Sequence, residues 1–111
     1  MLECDQVLRV KRVNMADDHP FAVVTVWCPY ELGKHLSRHD VENSSFYNLL
    51  NIELGGATQT IGADAATATE AQLLEIPLGS PVLSCDRTTK DKHGNAVLVS
   101  HHVFPAHRTN F

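Results

Sequence analysis

TATEAQLLEIPLGSPVL, residues 67–83, holds a helix, its stop, a turn and the opening of a strand. Thr67 and Glu70 have capping-box spacing, in which each side chain satisfies a backbone N–H that the first helical turn leaves free. Leu73, Leu74 and Ile76 form the apolar stripe. Pro77, which cannot donate a backbone hydrogen bond, terminates the helix. LGSP then turns the chain, and the strand opens at Pro81.

Working outward, residues 81–90 and 96–104 read as two long strands joined by DKHGN, a hairpin loop containing glycine. On the other side, residues 57–65 read as a strand. A helix is expected before it, starting at Ser44 or Ser45, with Phe46, Leu49, Leu50 and Leu54 at helical spacing and Gly55-Gly56 as the stop. Phe46, Leu49 and Leu50 are assigned to the core. Residues 30–43 form an irregular polar connection in which ELGKHLSRH has room for a helical turn or two. QVLRVKRVN (6–14) is an alternating strand, MADDHP (15–20) a turn, and FAVVTVWC (21–28) a strand apolar on both faces, ended by Pro29. The predicted order is β-β-α-β-α-β-β. Hairpins dominate it, so the fold class is α+β: an antiparallel sheet flanked by short helices. The chain contains no internal repeat and no low-complexity linker.

Composition bounds the function. The 111 residues suit one domain, 1–111, and 43% hydrophobic with 20% charged residues is the balance of a globular chain. Nine basic against thirteen acidic residues give a net charge of −4. An acidic domain without a basic run lacks the Lys and Arg that bind phosphate backbones, so this piece is not expected to bind DNA unaided. No segment is apolar and long enough to span a bilayer, and Met1–Arg12 shows no secretory h-region. Cys4, Cys28 and Cys85 are odd in number and widely spaced, which fits reduced thiols in a cytoplasmic protein better than a disulfide framework. Cys28 and Cys85 fall in strands and read as inert buried thiols.

Strand periodicity supplies the chemistry. Leu8, Val10, Arg12 and Asn14 share one face of the first strand, while Val7, Arg9, Lys11 and Val13 share the other. Arg12 thus points to the apolar side, where a charge requires an anionic neighbour. Periodicity leaves two readings, an internal carboxylate such as Asp64 or Asp86, or a bound anion, and favours the first. On the last strand Leu98, Ser100, His102 and Phe104 share a face; His101 and His102 point apart and cannot chelate together. His35 and His39, four residues apart, read as surface histidines. No zinc framework such as HExxH or CxxC is present, and no GxSxG, P-loop or GxGxxG, so neither a metal nor a cofactor is expected.

The order of these segments resembles a known family. VLRVKR (7–12), WCPYELG (27–33), SSFYNLL (44–50) and ATEAQLLEIPLGSPVL (68–83) are followed by R-x-x-x-D-x-x-G-x-x-V (Arg87, Asp91, Gly94, Val97). The chain closes on S-x-x-x-x-x-x-H-R-x-x-F. This is similar to the UTRA domain, the effector-binding half of GntR-type transcription regulators of the HutC subfamily, over nearly the whole chain. The resemblance implies a chorismate-lyase-like fold, with the N-terminal part of the domain truncated. It also implies an effector cleft between sheet and helices, a homodimer, and a winged-helix DNA-binding domain that is absent from these residues.

The resemblance also assigns site residues. Family members that bind sugar phosphates hold the phosphate with arginines late in the first matched strand and with Ser and Tyr of an S-x-Y helix start. Arg12, Ser45 and Tyr47 match those positions, which reverses the periodicity reading of Arg12. Asn14 stands where a second arginine is common, Val24 and Leu98 where glutamates often bind sugar hydroxyls, and Phe104 where a tyrosine is expected. An apolar side chain that leaves a ligand hydroxyl unpaired penalises that ligand by about 1–3 kcal/mol per lost bond. The implied effector is therefore a sugar phosphate or another small anion, with a smaller, less hydroxylated anion the better fit and His102 an extra donor. The expected function is non-enzymatic metabolite sensing that modulates DNA binding. A chorismate-lyase-like enzyme and a dimerisation-only domain are the alternatives.

Overall fold

The structure, a computed structural model, describes residues 6–36 and 54–108. Strand β1 (Val7–Ala16) and β2 (His19–Pro29) form the first hairpin. The expected loop at 15–20 contracts to Asp17-Asp18, both with positive φ (50° and 63°). That pair of left-handed residues is the signature of a two-residue turn whose twist matches the flanking strands. Helix α1 (Tyr30–Gly33) follows, and the chain then reaches β3 (Leu54–Ala65), α2 (Ala68–Leu74), β4 (Pro81–Asp91), β5 (Ala96–Pro105) and a 3-10 turn (Ala106–Arg108).

All pairings are antiparallel and the strand order is β1-β2-β5-β4-β3. Two hairpins, β1-β2 and β4-β5, are thus joined by β2 against β5, and β3 is added beside β4. The expected fold class, α+β with an antiparallel sheet flanked by short helices, is the one observed. The expected helix over 44–54 lies almost wholly outside the described residues, including Phe46, Leu49 and Leu50; its last position, Leu54, already belongs to β3. No described helix is long and apolar enough to cross a membrane.

The two sheet faces carry separate cores. On one, Ala22, Val24, Val26, Cys28 and Leu98 are buried together, with Leu8, Val10, Phe104 and the α1 flank residues Leu32 and Leu36 against them. On the other, Val23, Val82 and Val103 receive Ala71, Leu74 and Ile76 from α2 and its C-terminus. The capping box that starts α2 is formed: Glu70 N–H donates to Thr67 Oγ1 (3.2 Å) and Thr67 N–H to Glu70 Oε1 (3.0 Å). The helix ends at Leu74, three residues before Pro77, because Glu75 takes a left-handed conformation (φ 56°) and Ile76 N–H bonds back to Ala71 O. In the turn that follows, Gly79 has φ 80° and Ser80 N–H donates to Pro77 O, a geometry that places a glycine third.

Gly55 and Gly56 are not a helix stop. Both lie in β3, at the irregularity where its register with β4 shifts. A Cβ on Gly55 would fall on the Asp91 carbonyl oxygen, so the close approach of the two backbones requires glycine there. Gly56 has nothing within 4 Å of a built Cβ. Gly55→Ala is therefore expected to destabilise the domain by about 1–3 kcal/mol, the range for forced overpacking. Gly56→Ala should leave urea-unfolding midpoints unchanged or slightly raised.

A cationic row on one sheet face

Cross-strand partners share a face, so register places the candidate residues directly. Arg12 pairs with Val24, Val24 with His102, and His102 with Cys85, forming one row across four strands. The adjoining row runs Val10, Val26, Ser100, Arg87. At about 4.8 Å per strand, Arg12 and Arg87 approach His102 from opposite sides, two strands away and one strand away respectively. Asn14 opposes Ala22 beyond Arg12, and Phe104 opposes Leu83 beyond His102.

His102 is the centre of this arrangement. Its Nε2 lies 3.1 Å from Ser100 Oγ, and its ring stacks on Phe104 with centroids 6.2 Å apart and planes 11° from parallel. Burial holds its pKa below the ordinary histidine value, and positive charge on His101, Arg12 and Arg87 pushes the same way; Asp86 opposes them. The ring is consequently neutral at pH 7, able to donate one proton and accept another.

The carboxylates considered as partners for Arg12 lie elsewhere. Asp86 is on the opposite face, where its Oδ1 sits 2.6 Å from His101 Nδ1. Asp64 accepts from the N–H of Ala65 and opposes Val82, which belongs to the α2-side core. The Nε atoms of Arg12 and Arg87 are buried without a hydrogen-bond acceptor of their own, while each side chain makes other interactions.

The remaining candidates divide. Val24 and Leu98, 2% and 3% exposed, are part of the core floor beneath the row. Ser45 and Tyr47 lie outside the described residues. Arg87 was missed as a site residue, although the alternation Leu83, Cys85, Arg87, Thr89 on β4 would have put it on a partly apolar face. Cys28 is buried as expected, but Cys85 is only half-buried and stands beside His102, so it is not a core thiol. His35 is exposed, and His39 and Cys4 lie outside the described residues.

Two guanidiniums and an imidazole share one face of an antiparallel sheet that carries helices against both faces, which makes the class an α+β domain. The UTRA domain profile matches residues 1–110. The HTH-type transcriptional repressor NagR of Bacillus subtilis is 32% identical over 108 residues, 93% of this chain and 44% of that protein. The HTH-type transcriptional regulator Rv0792c of Mycobacterium tuberculosis is 31% identical over 106 residues, 87% of this chain and 39% of that one. A solved GntR-family transcriptional regulator from Enterococcus faecalis superposes with a TM-score of 0.85 at 26% identity, covering 95% of this chain and 78% of that one. This chain belongs to the UTRA family, the effector-binding domain of GntR regulators of the HutC subfamily, and spans under half the length of the curated relatives it matches.

The depressed His102 pKa has a measurable consequence. The unfolded chain takes up its proton first as the pH falls, so His102 contributes a loss of stability on acidification, beginning near the ordinary histidine value and ending below the folded-state value. NMR titration should place the His102 imidazole below the ordinary histidine value. Arg87→Ala should move it upward by removing one of the repelling charges.

Proposed function

We propose that this domain binds a small anionic metabolite on the face that carries Arg12, His102 and Arg87, and that binding is reported to DNA through a winged-helix domain outside these residues. The convergence of these three groups on one face carries the reading. A carboxylate or phosphate accepts bidentate hydrogen bonds from a guanidinium, and a neutral imidazole supplies a further donor. The UTRA membership of the chain supports the reading of a sensor over that of an enzyme. Ser45 and Tyr47, matched through the family motif, supply the further phosphate donors.

The floor narrows the ligand. Val24 and Leu98 present no hydrogen-bonding atom, and Phe104 offers a ring where the family expects a phenol. A small anion with few hydroxyls loses least on such a surface. Sensing then follows from differential affinity: the ligand favours whichever arrangement of a homodimer binds it better, and the DNA-binding domains move with that arrangement. NagR is named a repressor, and repression is the direction carried over to this chain.

A thermal-shift screen against sugar phosphates and small carboxylates tests the reading. A ligand at a hundred times its Kd adds about 2.7 kcal/mol, several degrees in a domain of this size. Arg12→Ala should abolish the shift for every hit, while Lys11→Ala, one residue away on the opposite face, should retain it. Hits unaffected by Arg12→Ala contradict the proposed site.

A further inference from the structure

The face that carries Arg12 and Arg87 is not uniformly polar. On β5 the rings of His102 and Phe104, two residues apart, stand nearly parallel, with 11° between planes and 6.2 Å between centroids. Both residues are half-buried, so each keeps part of its surface accessible. Register fixes what surrounds them. Val24 lies beside His102 on β2, Leu83 and Cys85 oppose the two rings on β4, and Ile61 follows Cys85 on β3. Ile61 is 63% exposed, which leaves an apolar surface open at that end of the row. Three of these four side chains have no hydrogen-bonding atom, and a thiol is only a weak partner for a hydroxyl. Polar groups occupy the next row, Ser100, Arg87 and Gln59. Ser100 is buried, and its hydroxyl is already engaged with His102 Nε2 at 3.1 Å.

We propose that the effector is an aromatic carboxylate, its acid group held by the flanking guanidiniums and its flat ring laid against the His102–Phe104 pair. The inference rests on the anion site of the preceding reading and names the rest of the molecule bound there. A planar ring gains offset or edge-to-face contact with the two protein rings, which a puckered ring of the same size and charge does not. Leu83, Cys85 and Ile61 then border it with apolar surface, as a hydrocarbon ring requires and a polyol does not. A sugar phosphate in the same place would set its hydroxyls over those side chains, and each hydrogen bond given up to water's exclusion counts against it. The arginines supply charge, and the ring pair supplies shape.

Titration calorimetry of the 111-residue chain with benzoate, cyclohexanecarboxylate and glucose 6-phosphate tests this. Benzoate should bind about three- to tenfold tighter than cyclohexanecarboxylate, which matches it in charge and size but is puckered. Glucose 6-phosphate should bind more weakly than benzoate. Phe104→Tyr should keep the preference for benzoate, and Phe104→Leu should erase it. Should Phe104→Leu unfold, nuclear Overhauser contacts on the unaltered chain decide the matter: the benzoate ring protons should reach the rings of Phe104 and His102. Equal affinity for the two carboxylates, tighter binding of glucose 6-phosphate, or absence of those contacts contradicts the aromatic effector. If Arg12→Ala still abolishes binding in that case, the anion site stands without it. No binding of any probe, or binding that survives Arg12→Ala, contradicts the anion site and this inference together.

Discussion

The pairing of β2 with β5 makes one sheet from two hairpins, and the rest of the molecule depends on it. Each hairpin is local and could pair without the other. Only the register that sets Val24 beside His102 brings Arg12, from the first hairpin, onto the same face as Arg87, from the second. That register also aligns Val23 with Val103, the centre of the surface on which α2 packs. A slip of one residue would exchange the two faces of β5, sending His102 under α2 and His101 toward Arg12. The hydrophobic pattern forbids it, because Leu98 and Val103 would each leave its own core.

The two faces divide the ionisable groups by their partners. On the α2 side, His101 meets Asp86 at the surface, where solvent screens the pair and its contribution is small. On the other side, positive charge gathers around a half-buried imidazole and lowers its pKa. Concentrating cations beside an apolar floor costs stability, and folds retain such costs mostly where a ligand offsets them. An anion at this face would relieve the repulsion and raise the His102 pKa, so affinity for it should strengthen as the pH falls toward that value.

What was legible in the chain was local. The capping box at Thr67, the alternation of β1 and β5 and the loop glycine of DKHGN all act between near neighbours, and each is formed as read. The faces of Arg12 and His102 followed from period two alone. Sheet order did not, because β2 and β5 are separated by more than sixty residues and nothing in either strand names its partner. Without that pairing Arg12 could not be placed on the face of His102, whereas the β4-β5 hairpin alone sets Cys85 opposite His102 and Arg87 opposite Ser100. Gly55-Gly56 misled for a related reason: a glycine pair at the end of an apolar run reads as a helix stop, whereas its cause is the Asp91 backbone, a contact from a distant strand.

Chemical-shift mapping of the isotopically labelled chain during titration with inorganic phosphate, and then with a small sugar phosphate, tests the central claim most directly. Perturbations should concentrate at Arg12, Ser100, His102 and Arg87, with the His102 imidazole moving toward its protonated shifts. Perturbations confined to His101, Asp86 and α2, or absent at concentrations that saturate the thermal shift, would contradict the assignment of the effector site to this face.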